Sequence, residues 1–143
     1  MSPEPRKLAL MQTEFPEGWG SLRFPWVRRE LLQYLDEIID PDQTAAWLRS
    51  NPNGLIVGID QTFHFLFDDH DFGRGDIGIS LFDAGEVDAI GALKDTLGAI
   101  LKTNRDGDDA YFLSHPLWPE VVRAAGIARH LLASRGVPPP RAQ

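Results

Sequence analysis

The chain has no cysteine among its 143 residues. Disulfides, thiolate metal sites and cysteine nucleophiles are therefore excluded. Long apolar runs are absent too. Near the N-terminus the longest is Leu8–Met11, too short for the core of a secretion signal, and nothing later approaches a membrane span. A cytoplasmic protein is expected. Positive charge is also scarce: 14 Lys and Arg stand against 21 Asp and Glu, for a formal net charge of −7. That deficit is local. Residues 68–109 hold eleven acids and four bases, and the remainder of the chain is balanced. A field of that sign disfavours nucleic acid and anionic membrane, and favours a basic protein or a cation. A solubilising surface is the simpler use of the same charge.

What is present describes one ordinary domain. Hydrophobic residues make up 43% of the chain and charged residues 24%, enough to bury a core without covalent staples. Residues 1–23 carry Pro3, Pro5, Pro16, Gly18 and Gly20 without periodicity, and read as an irregular arm pinned by Phe15 and Trp19. Pro25 suits a first helical turn, and Val27, Leu31, Tyr34, Leu35 and Ile38 repeat at helical spacing, so a helix is expected over 25–39. Asp40-Pro41 ends it. A shorter helix with Ala45, Ala46, Trp47 and Leu48 follows, then the turn signal Asn51-Pro52-Asn53-Gly54.

LIVGI (55–59), TFHFLF (62–67) and IGISLF (77–82) read as strands. The alternation of Phe63, Phe65 and Phe67 would put three rings on one sheet face. Asp83 with Glu86 three residues on marks a helix start, continued by Val87, Ile90, Leu93, Leu97 and Leu101 to about Lys102. TNRDGDD (103–109) reads as a loop. A last helix follows, with Trp118, Val121, Val122, Ala125 and Leu132 on one face, Arg129, His130 and Arg135 near its end, and Gly136 as its stop. The expected fold class is α+β: a small antiparallel sheet of two or three strands packed with about four helices, in the order ααβ(β)βαα. The expected domain spans 24–136, with a disordered proline-rich tail at 137–143.

The stretch DDHDFGRGDIG (68–78) overlays several motifs. Gly73, Gly75 and Gly78 match a dinucleotide fingerprint, but that motif needs a helix to open beyond the glycines and receive the phosphates. Here the expected continuation is a strand. A kinase-type reading of the same glycines needs a strand lysine, whereas Lys94 falls on a helix, and a His-Arg-Asp loop, which is absent. Asp71-Phe72-Gly73 and Arg74-Gly75-Asp76 are chance matches in a glycine-rich loop.

The carboxylates carry more weight. Asp68, Asp69, Asp71 and Asp76 crowd one connection. If the helix after Asp83 packs antiparallel on strand 77–82, it returns Asp106, Asp108 and Asp109 to the same end. These seven aspartates then form one acidic pole. Such a pole suits docking of a basic protein surface with electrostatically steered association. The alternative is a divalent-metal-dependent binding protein or hydrolase, with Asp69, His70 and Asp71 as candidate ligands for Ca²⁺, Mg²⁺ or Mn²⁺. The Ca²⁺ helix-loop-helix pattern is not met, because the twelve-residue frame begun at Asp69 ends on Ser80 where a glutamate is needed.

No catalytic signature emerges elsewhere. His64, His70, His115 and His130 form no H-x-H, HExxH or i, i+4 pair. No serine sits in a G-x-S-x-G elbow, Ser114 reads as a helix cap, and no two carboxylates are marked as acid and base. His64 falls on the strand face opposite the phenylalanines. Trp26, Trp47 and Trp118 lie on apolar helix faces and read as core. The balance leans away from an enzyme.

Four pieces, DPDQTAAWLR, FHFLFDD, ISLFDAGEVDAIGALKDTLGAIL and DAYFLSHPLWPEVVRAA, resemble a family of small acidic bacterial proteins without an assigned activity. The resemblance covers about residues 24–132. It implies a compact α+β domain and brings no catalytic residues. By class alone (size, acidity, no active-site motif) the chain is similar to immunity proteins, which neutralise basic toxin domains. The expected partner is thus a basic protein, a toxin domain among the candidates, with no nucleic acid and no membrane.

Overall fold

The computed structural model describes residues 15–40, 59–103 and 109–138, and for residues 59, 60, 109 and 110 the backbone alone. Its elements are α1 (Pro25–Ile39), α2 (Ile59–Phe63), α3 (Ala84–Thr103), α4 (Asp109–Ser114) and α5 (Trp118–Ala133). A 3-10 turn at Glu17–Ser21 precedes α1, a π-helix at His64–Asp69 extends α2, and a second 3-10 turn lies at Arg74–Asp76.

Among the described residues there is no strand, and the α+β expectation with its ααβ(β)βαα order is overturned. TFHFLF lies within α2 and the π-helix. IGISLF is a turn closed by a bridge between Ile77 and Leu81. The Asp76 carbonyl collects the N–H groups of Ile79, Ser80 and Leu81, so this backbone is satisfied locally and needs no sheet partner. Of LIVGI, residues 55–58 lie outside the described residues and Ile59 begins α2. The helix expected around Trp47, most of the 103–109 loop, residues 1–14 and the last five residues of the proline-rich tail are also outside them.

The three long helices fall close to their expected limits because their apolar residues recur at three and four positions. α1 starts on Pro25 and buries Val27, Leu31, Leu32, Leu35 and Ile38; Tyr34 is only partly covered. α3 buries Ile90, Leu93, Leu97 and Ile100, with Val87 and Leu101 half-buried beside them. α5 buries Trp118, Val121, Ala125, Ala128 and Leu132. Small residues at 125 and 128 let the flanking helices approach closely, and α5 packs against both α1 and α3.

The segments flanking the helices at Pro16–Trp19 and Arg135–Gly136 are tied to the same core. Trp19 is fully buried and its Nε1 donates to the carbonyl of Arg135 at 3.0 Å. Gly136 ends the C-terminal turn at φ +107°, and a Cβ there would meet Pro16 Cβ at 2.7 Å. Glycine is required at 136 for both conformation and space.

One polar cluster lies inside this core. Arg28, on the apolar stripe of α1, is 0% exposed and pairs with buried Glu86 in the first turn of α3. Nη1 and Nη2 reach Oε1 and Oε2 at 2.8 and 2.7 Å, the parallel fork that suits a guanidinium. Arg28 also donates to the carbonyls of Ser80 and Leu132, and its guanidinium lies over the rings of Trp19 and Phe82. Glu86 Oε1 further accepts the Phe82 N–H at 2.7 Å. The Glu86 N–H donates to Asp83 Oδ1, the cap that the Asp83/Glu86 spacing implied. Asp83 Oδ2 in turn pairs with Arg135 beyond α5. One network thus joins α1, the 77–82 turn, the start of α3 and the end of α5.

Candidate functional site

The acidic connection between α2 and α3 is built from its aromatic residues outward. The π-helix carries HFLFDD in a wide, rarely used turn that recurs at functional positions in other proteins. It buries Phe65 and Leu66 and leaves Phe67 partly exposed. Phe65 packs on Tyr34 of α1 with ring centroids 4.5 Å apart, on His70 at 4.8 Å and on Phe72 at 5.4 Å. Phe72 is the anchor: it is 2% exposed and sits at φ +53°. A bulky side chain in the left-handed region costs roughly 1–2 kcal/mol. Burial of its ring, about 1.5–3 kcal/mol, offsets that strain.

Lys94 of α3 clasps the loop from the other side. Its Nζ donates to the Asp71 carbonyl at 2.8 Å and lies 5.3 Å from the Phe67 ring centroid. Asp76 is a turn organiser. Its Oδ2 accepts the Gly73 N–H at 3.1 Å and its carbonyl gathers the three N–H groups of the following turn. The glycines of the overlaid motifs thus serve a 3-10 turn and a bridge, and the next helix opens only at Ala84.

Asp68, Asp69 and Asp71 remain exposed on this clamped backbone. Asp68 Oδ2 lies 2.5 Å from His64 Nδ1, one helical turn earlier, with both side chains more than half in solvent. His64 is therefore a surface helix residue and not a sheet residue. Burial first, then the charges of Glu37, Glu30 and Asp69, raise the Tyr34 hydroxyl above its ordinary pKa.

Of the seven aspartates expected to form a pole, Asp68, Asp69, Asp71 and Asp76 share this loop. Asp106 and Asp108 lie outside the described residues, and the Asp109 side chain does as well. The strand on which their convergence depended does not exist, so that route to a single pole is withdrawn. The candidate ligands Asp69, His70 and Asp71 form no metal-holding group of three or more among the described residues. The His70 ring contacts those of Phe65 and Phe72. His115 also serves structure, its Nδ1 accepting the Leu117 N–H at 3.0 Å ahead of α5. Ser114 donates to the Tyr111 carbonyl and does not cap α5.

Three features escaped the sequence reading. Arg28 and Glu86 are buried partners, and Trp26 is exposed where core was expected. The signal for Arg28 was its position three, four and seven residues before Leu31, Leu32 and Leu35, on the buried stripe itself. Trp26 lies off that stripe.

A family described as a domain of unknown function (DUF7945) matches residues 22–138. No curated protein and no solved structure matches the chain. No helix among the described residues is long and apolar enough to cross a membrane.

Proposed function

The chain belongs to the DUF7945 family, and from that premise we propose that it is a non-enzymatic binding domain whose loop 68–76 docks a basic protein surface. One observation carries the reading. The loop backbone is fixed by a buried, strained Phe72, while Asp68, Asp69 and Asp71 are left in solvent. Burial of the Phe72 ring holds its left-handed backbone, and with it the backbone of the neighbouring aspartates, in one conformation. A preorganised loop loses little entropy on binding, so its carboxylates can meet lysines and arginines without first being ordered. The local excess of acid adds long-range steering, which raises the association rate and makes it sensitive to salt.

The partner class that fits is a basic protein, and a bacterial, immunity-type role against a toxin domain in the cytoplasm is the biological form of that fit. The test is capture from cell extract by the immobilised full chain, at low and high salt, compared with the double variant Asp69→Lys/Asp71→Lys. Wild type should retain a basic protein that salt elutes and the double variant does not retain. An identical captured set from both proteins would contradict the proposal.

A further inference from the structure

We propose that the exposed aromatic pair at the start of α1 is a self-association surface whose occupant is a second copy of this chain. Trp26 is 48% exposed and Phe24 36%. Their ring centroids are 5.1 Å apart. Backbone bonds hold the segment in place, with the N–H groups of Arg23 and Phe24 donating to the carbonyls of Gly78 and Ile79 at 3.0 and 2.8 Å. That turn begins at Ile77, itself 39% exposed. A tryptophan and a phenylalanine displayed on fixed backbone, with an arginine beside them, have the composition of an interface centre.

The arrangement of charge selects a second copy over an unrelated partner. Arg23 lies three residues before Trp26, with its guanidinium 5.3 Å from the Phe24 centroid. Glu30 lies four residues after Trp26 and is exposed on the same side of the helix. Neither side chain has an ion-pair partner among the described residues. A two-fold axis passing beside Trp26 sets Arg23 of each copy opposite Glu30 of the other. Two equivalent ion pairs then close around one aromatic centre, the self-complementary pattern of an isologous dimer. A partner surface of single sign would satisfy one of the two charges and repel the other. The apolar centre is about 250 Å² per copy, well below the ~800 Å² of a standard interface, so the dimer is weak and forms at high concentration.

The experiment is sedimentation equilibrium of the full chain from about 5 to 500 µM, with thermal melts to verify that each variant is folded. Wild type should pass from monomer to dimer across that range. Trp26→Ser should weaken the dimer tenfold or more on the order set for an interface anchor. Arg23→Glu and Glu30→Arg should each weaken it severalfold, and the exchange Arg23→Glu/Glu30→Arg should recover most of the loss. Asp69→Lys/Asp71→Lys should leave it unchanged, which separates this surface from the acidic loop. A monomer throughout, a dimer indifferent to Trp26→Ser, or a charge exchange no better than its single variants would overturn the proposal.

Discussion

Glu86 and Asp69 carry the same kind of charge in opposite circumstances. Glu86 is buried, its two oxygens engaged by Arg28 and the Phe82 N–H. Asp69 stands in solvent on a loop whose fixed points are aromatic rings. Desolvation makes the first expensive unless every partner is present, and hydration makes the second nearly free of folding consequences. Charge inside this protein therefore holds elements together, whereas charge on the loop is left in solvent.

The contrast is broken most severely at its buried end. Arg28→Ala or Glu86→Gln should cost about 3–5 kcal/mol in urea denaturation, because each strands a partner in the core. The double change Arg28→Met/Glu86→Leu should cost less than either single one. It should still fall short of neutral, since the carbonyls of Ser80 and Leu132 lose a donor. Arg28 Nε and Ser80 Oγ are already buried without a hydrogen bond, so the network is not one in which every polar atom is satisfied. A double variant worse than the sum of its singles would show that the pair matters for more than mutual neutralisation.

Gly136→Ala comes next, at roughly 1–2 kcal/mol, from a left-handed backbone and a clash with Pro16. The readout is the thermal midpoint. Asp83 is smaller and depends on pH. The Glu86 N–H, and after it Arg135, hold its carboxyl below the ordinary aspartate range. A depressed folded-state value contributes stability that is present above the unfolded value and lost as pH falls through the folded one. Asp83→Asn should lower the melting temperature near neutrality and flatten its fall below about pH 4. Glu37 opposes this weakly: burial, then the charge of Asp36, raises its pKa against the pull of a Gln33 hydrogen bond. Its stabilisation is greatest in acid and fades as pH rises. An acid limb in Asp83→Asn as steep as in wild type would remove Asp83 from the account.

How much of this was legible depends on which force dominates locally. α1, α3 and α5 were legible because their apolar residues recur at helical spacing and their ends carry Pro25, Asp83 with Glu86, and Gly136. TFHFLF misled because three phenylalanines at every second position imitate a strand. They do not line one sheet face: Phe63 packs on Phe112 and edge-on to Phe67, Phe65 packs on Tyr34, and Phe67 lies under Lys94. Thr62, Phe65 and Leu66 are the buried positions, and their three- and four-residue spacing carried the helical signal beneath the louder alternation. IGISLF misled for another reason. A run that short can satisfy its N–H groups locally, three of them here on the Asp76 carbonyl and the others on Arg74, Leu81 and Glu86, and composition does not encode that choice. The four loop aspartates were legible as a group. Their division into one turn organiser, Asp76, and three exposed carboxylates depends on hydrogen bonds that no spacing shows.

The smallest expected effect on folding is also the most direct test. Chemical denaturation of Asp69→Lys/Asp71→Lys should give a stability within about 0.5 kcal/mol of wild type, as for surface positions free of buried contacts, while capture of a basic partner is lost. A loss of stability above about 2 kcal/mol would contradict the account. It would place these aspartates with Glu86 among the charges that build the fold.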